Sequence, residues 1–251
     1  MIADAFKFPE INSILRWKDL FSSFNKIALI AVAAAVIGTV VFLIAGSKSA
    51  NEAPKGVRNL AETTVEFIEN GIVRETMGNE GLGWTPFLLS LFVFVYLCNA
   101  PGIIPILQMP ATARIAIPMF LALFVWVVYM GVGFKHQGIK YFTHTVWPPG
   151  VPTALKPLVG LIELVSNYVV RPFSLTVRLF ANMLAGHITL KVFAGFVVML
   201  LGAGSWAVIS PLPFLFMVGL MALELLVAFL QAYVFAMLTC MYINDALHPG
   251  H

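Results

Sequence analysis

Charge is scarce in this chain. Lys, Arg, Asp and Glu make up only 11% of its 251 residues, where a soluble domain carries roughly 25%. With 60% hydrophobic residues and a mean hydropathy of +0.91, that deficit excludes soluble, disordered, fibrous and coiled-coil classes and marks an integral membrane protein. Cysteine is equally scarce. Cys98 and Cys240 both sit inside apolar runs and read as buried small hydrophobes, which excludes a disulfide framework or a thiolate metal cluster. The motifs CxxC, HExxH, GxGxxG and GxxxxGK followed by Ser or Thr are also missing, so no cofactor, metal or catalytic residue is expected. A net charge of +3, with the 15 basic residues scattered, removes the electrostatic footprint of a nucleic-acid-binding protein.

What the chain does have is long apolar runs. Asp4, Lys7, Glu10, Arg16, Lys18, Asp19 and Lys26 precede the first of them, unlike a signal peptide. Residues 1–26 read as an N-terminal surface arm and 27–251 as a single membrane domain. Residues 27–46 are uncharged and match the ~20 residues needed to cross a ~30 Å hydrocarbon core. The segment 48–80 is the one strongly charged block. Within it Val57, Leu60, Ala61, Val65, Ile68 and Ile72 recur at near-helical spacing, which predicts an amphipathic surface helix over 57–80. Further spans are expected at 84–107, closed by Pro101, Gly102 and Pro105, and at 115–134. Between 135 and 156 lie three lysines and no acid, which places that loop on the cytoplasmic or matrix side.

The C-terminal part is different in scale. Residues 157–201 form a 45-residue apolar run, and 206–244 form another of 39. At ~1.5 Å per residue each reaches roughly 60 Å, twice the bilayer core. Steep tilt in lipid calls for a protein partner, and a tilted hairpin beside a large partner is the preferred reading, with Pro172 as a candidate kink. Inverted repeats of the transporter kind are absent.

Charged side chains at membrane depth mark functional pathways by default. The first long run holds Glu163, Arg171, Arg178, His187 and Lys191, and the second holds only Glu224. For an unbroken α-helix, Glu163, Asn167, Arg171, Ser174, Arg178 and Asn182 fall within a sector of roughly 100°, and Thr189 rejoins it. His187 points to nearly the opposite face about 13 Å further along, with Lys191 one turn beyond. Two separate polar environments on one helix suit two half-pathways better than one pore. Glu224 and Gln231 share a face of the last helix, and antiparallel packing brings Glu224 toward His187 and Gln231 toward Arg178. His187 with Glu224 reads as a proton relay, since imidazole titrates near neutral pH. Arg171 and Lys191 also suit side chains reaching for an interface, and Glu163, seven residues after Lys156, also suits an ion pair there.

The stretch Ser174-Leu-Thr-Val-Arg178-Leu-Phe-Ala-Asn182-Met-Leu-Ala-Gly-His187 closely resembles the signature of subunit a of F-type ATP synthase. Glu163-Leu-Val-Ser166 before it and Glu224 with Gln231-Ala-Tyr-Val-Phe after it match the same family. The resemblance covers most of the chain and is weakest in 1–26 and 48–80. It implies an all-α polytopic fold of upright transmembrane helices, one surface amphipathic helix, and two long tilted C-terminal helices packed against a ring of c subunits. The other implied partners are the b and b' peripheral stalk subunits, the rest of the F1F0 complex and membrane lipid. Arg178 then matches the stator arginine that faces each passing c-subunit carboxylate and separates two offset half-channels. Its guanidinium stays charged at any accessible pH. Asn182 and Gln231 match its polar neighbours, His187 and Glu224 the entry pair, Glu163 the exit path, and Asn99 a polar position of the second span. Asn167, Ser174, Lys191 and Arg171 are candidate channel-lining residues.

Some bacterial members carry a carboxylate where His187 stands and a histidine where Glu224 stands, and Ala181 replaces a glycine. That version resembles mitochondrial chains and those of related bacteria. The implied location is the bacterial inner membrane, with the mitochondrial inner membrane as the alternative, and the implied ion is the proton. No ATP chemistry is expected in this subunit. Three other readings stay open on residues alone. They are a secondary transporter using Arg178 for an anion, an intramembrane enzyme using His187 and Glu224, and a structural scaffold indifferent to Arg178.

Overall fold

The computed structural model describes residues 26–46, 56–104, 110–138, 141, 155–202 and 208–248. The expected arm over 1–25, Pro105 at the end of the second span, Lys140, most of the 135–156 loop and the small-residue break at 203–205 lie outside them. All regular structure among the described residues is helical.

Helix α1 (Lys26–Gly46) is uncharged beyond its first residue. It packs through one stripe only, Ile27, Ile30 and Ala34, against Cys98 and Ala111. Leu29, Val32, Val36 and Leu43 point outward, as suits a helix whose other faces meet lipid. Gly38 lets it approach the next span, since a Cβ there would lie 3.3 Å from Val93 Cγ1.

Helix α2 (Val57–Ile68) runs through a π turn (Glu69–Val73) into the short α3 (Arg74–Met77). Its polar face carries the Arg58–Glu62 pair at 2.7 Å. Its apolar face does more than rest on a surface, because Ile68, Ile72 and Val73 are fully buried in the main core. Phe67 meets the rings of Phe92, Phe229 and Tyr233. The stretch ends at Gly78, whose φ of 66° favours glycine. A 3-10 segment (Gly78–Trp84) leads into α4 (Thr85–Asn99), followed by a 3-10 turn (Ala100–Gly102). The α-helix stops short of the expected 107 because Pro101 lacks the N–H an α turn needs and disfavours helical backbone before it. After a second 3-10 turn (Ala111–Ala113) comes α5 (Ala116–Gln137), closed by Gly138 at φ 59°.

The first long run is α6 (Lys156–Val165), a π turn (Ser166–Val170) and α7 (Arg171–Gly202). The second is α8 (Pro211–Leu247). The π turn revises the polar stripe expected from the sequence. Arg171 N–H bonds to Ser166 O, five residues back, so the turn absorbs one residue and rotates Glu163 by roughly 100° against the α-helical expectation. Pro172 follows the turn directly, and its ring has no N–H to offer the carbonyls behind it.

Where every neighbour is apolar, helices associate through close packing rather than escape from water. On α8, Ala228, Ala232, Ala236, Cys240, Ile243 and Ala246 form the buried stripe, small enough for α4, α5 and α7 to approach. Gln137 Nε2 donates to Ala246 O at 2.9 Å, joining the end of α5 to the end of α8. Five stretches are long and apolar enough to cross a membrane. The two long C-terminal stretches are covered least, with 6% and 11% of their most apolar windows buried, against 39% for α5.

Candidate functional site

Helix α7 has two unlike faces. Leu175, Leu179, Met183 and His187 recur every fourth residue and are buried against the bundle. On the other side Arg178 and Asn182 are exposed. Both sides are polar somewhere along their length, but at different heights. Arg171 lies about 10 Å before Arg178 along the axis and His187 about 13 Å after it.

At the His187 end, His187 Nδ1 stands 4.0 Å from Glu224 Oε1, each side chain 10% exposed. That distance is too long for a direct hydrogen bond. Neither Glu224 carboxylate oxygen has a partner among the described residues, and both are buried. Asn99 Nδ2 is in the same condition. Asn99 Oδ1 accepts the Thr112 hydroxyl, which ties the end of α4 to the 3-10 turn before α5. Buried polar atoms are normally hydrogen-bonded, so these unpaired ones stand out. Two glycines make the close approach of these side chains to backbone possible. A Cβ on Gly102 would lie 2.5 Å from His187 Nε2 and 3.1 Å from Pro110 Cδ. A Cβ on Gly186 would lie 2.5 Å from Glu224 Oε1. The imidazole therefore rests on the backbone at Gly102, and the carboxylate rests on the α7 backbone at Gly186.

At the opposite end, Arg171 pairs with Asp245 at 3.0 Å, and its guanidinium carbon sits 4.6 Å from the centroid of the Tyr242 ring. The Tyr129 hydroxyl donates to Asn167 O at 2.7 Å. Glu163, Asn167 and Ser174 are half-buried nearby along the helix. Between the two ends stands Arg178, which has no salt bridge among the described residues. Gln231 is buried on α8, and Lys191 is half-buried one turn past His187.

The structure thus brings His187 and Glu224 together at one end, with Asn99 three residues before the Gly102 that His187 rests on, and sets Arg171 with the residues preceding it at the other. Sequence reasoning assigned no part in the site to Gly186, Thr112, Tyr129 or Asp245, and read Gly102 only as closing the second span. For Asp245 a signal existed, an acid closing an otherwise apolar run. For Gly186 the only signal was its place beside His187. The remaining three act through contacts remote in sequence. Among the described residues no group of three His, Cys, Asp or Glu could hold a metal ion.

The family model described as ATP synthase A chain matches residues 27–244. Curated relatives named ATP synthase subunit a include one from Bartonella tribocorum (strain CIP 105476 / IBS 506), 46% identical over 230 residues, covering 91% of this chain and 89% of the relative. Another from Methylobacterium sp. (strain 4-46) is 47% identical over 229 residues, with the same coverage. A third from Rhodopseudomonas palustris (strain BisB18) is 46% identical over 230 residues, covering 90% of this chain and 89% of the relative. With the family model matched over residues 27–244 and relatives at this identity and coverage, the chain belongs to the ATP synthase subunit a family.

Proposed function

We propose that this chain is the proton-conducting stator of an F-type ATP synthase, in which Arg178 separates two half-channels beside a rotating ring of c subunits. The observation that carries the reading is the exposure of Arg178 at the middle of a long apolar run, with no carboxylate paired to it among the described residues. A guanidinium at membrane depth costs about 2.5–3.5 kcal/mol even on lenient insertion scales. A partner that brings a carboxylate to it offsets that cost. The sparsely covered outer faces of α6, α7 and α8 supply the surface for such a partner.

Sidedness follows from the loop charges. The lysine-bearing loop before α6 is cytoplasmic by the positive-inside rule. Helix α7 then runs from Arg171 near that side to His187 further from it, and α8 returns with Asp245 beside Arg171. The His187–Glu224–Asn99 pocket is the inlet from the far side, and the Glu163–Arg171 end is the outlet. A proton enters through water in the pocket, with Glu224 and His187 exchanging it, and passes to a c-subunit carboxylate. That carboxylate, once neutral, can turn through lipid. On return it loses the proton at the outlet, and Arg178 holds the bare carboxylate as it passes. Because the arginine cannot release its proton, it does not relay one, and the two pockets stay unconnected except through the ring. Each proton crossing 100 mV delivers ~2.3 kcal/mol, so several are collected for each ATP. Asn182 and Gln231 flank the arginine as hydrogen-bonding neighbours, with Ser174, Asn167 and Lys191 lining the approaches. The b and b' stalk subunits anchor the stator in a bacterial inner membrane, and the ATP chemistry lies in other subunits.

The test is ATP-driven proton pumping by the assembled complex in vesicles, wild type against Arg178→Ala. Lost pumping with normal assembly is expected. Pumping near the wild-type rate would return Arg178 to a packing role.

A further inference from the structure

We propose that Tyr129 is a positioning residue for the arginine helix, holding the π turn that sets Arg178 in phase with the Glu163 end. The inference rests on the proposed role of Arg178.

The π turn at Ser166–Val170 leaves the Asn167 carbonyl without a helical donor. In an α-helix Asn167 O accepts from the N–H four residues on, that of Arg171. Here Arg171 N–H is bonded to Ser166 O instead. The next donor along is residue 172, which is proline and has none. A backbone carbonyl left unpaired away from water costs about as much as a lost hydrogen bond. Tyr129, 1% exposed at the heart of α5, meets that need, its hydroxyl 2.7 Å from Asn167 O. One turn earlier on α5, Trp126 packs edge-on to Tyr168 of the same π turn, centroids 6.1 Å apart. The Tyr129 ring lies 5.7 Å from that of Tyr242, which in turn carries the Arg171 guanidinium. Helix α5 therefore grips the one place on the long run where the helical phase is adjustable.

The consequence for Arg178 is angular. If the turn reverted to α-helix, one residue would re-enter the count, and the Glu163 and Arg178 faces would turn roughly 100° relative to each other. Both could not then address the same partner surface. A hydrogen bond from a rigid, buried phenol on α5 fixes the choice.

The experiment measures ATP-driven pumping per assembled complex for Tyr129→Phe, Pro172→Ala and the double variant, with Arg178→Ala alongside. Phenylalanine keeps the ring and removes only the hydroxyl. Alanine at 172 restores an N–H that can serve Asn167 O from within the helix, five residues on, keeping the π geometry. Tyr129→Phe is expected to lower pumping about fivefold, the scale of one buried hydrogen bond, and the double variant to recover to within about twofold of wild type. A loss of general packing would not be cured by a backbone N–H at 172. If Tyr129→Phe lowers the assembled amount instead, the same recovery is read in that amount. Wild-type behaviour of Tyr129→Phe, or a deficit that Pro172→Ala leaves in place, overturns the inference. If Arg178→Ala itself pumps normally, the stator reading falls and this inference with it. If Arg178→Ala is inactive while Tyr129→Phe is unaffected, only the inference falls.

Discussion

Replacing Gly102 with alanine tests the proposed inlet where His187 meets the backbone. The added Cβ would stand 2.5 Å from His187 Nε2, 3.0 Å from Cε1 and 3.1 Å from Pro110 Cδ. Ordinary contact begins near 3.4 Å, so the imidazole must retreat by 3.4 − 2.5 = 0.9 Å. The ring has little freedom to do so, since His187 is 8% exposed and α7 holds its backbone. Overpacking of this kind costs about 1–3 kcal/mol. A misplacement near 1 Å in proton-transfer geometry lowers a rate by up to about 100-fold. We therefore expect Gly102→Ala to assemble and to pump about 10- to 100-fold more slowly, with ATP hydrolysis by the detached catalytic sector unchanged. The matched control is Gly131→Ala on α5, where nothing lies within 4 Å of the added atom. It should pump as wild type. Equal pumping by the two variants would refute the claim that His187 works from its seat on Gly102.

Two further outcomes follow from the same geometry. Gly186→Ala crowds Glu224 Oε1 at 2.5 Å and should slow pumping like Gly102→Ala. Because Glu224 is the more flexible side chain, the loss should be smaller, which the same vesicle assay reads. Asp245→Asn breaks the Arg171 pair, whose side chains are 23% and 53% exposed. Solvent screens such a pair, so the thermal stability of the complex should fall by no more than about 1 kcal/mol, checked by melting of the purified assembly.

The long uncharged runs made the spans legible, because twenty apolar residues in a row have few other uses. Register between the two C-terminal helices was inferred from antiparallel packing of Glu224 and Gln231 against His187 and Arg178, and the structure has His187 and Glu224 4.0 Å apart. Pro172 stood out as a candidate kink, and the chain forms a π turn just before it. Spacing at 100° per residue cannot register an absorbed residue, so the Glu163 end of the polar stripe was misphased. Gly102 was read only as a breaker after Pro101. Its role against His187, 85 residues away in sequence, is a tertiary contact that no local pattern carries. The same holds for Thr112 against Asn99 and Tyr129 against Asn167.

The central claim is that Arg178 keeps two half-channels apart, and passive proton flow with the ring held still tests it most directly. A cross-link between this chain and a c subunit stops rotation, and an imposed pH gradient is followed in vesicles after removal of the catalytic sector. The account predicts that the cross-linked wild-type complex holds the gradient and that cross-linked Arg178→Ala lets it decay. A cross-linked Arg178→Ala complex as tight as wild type would contradict it.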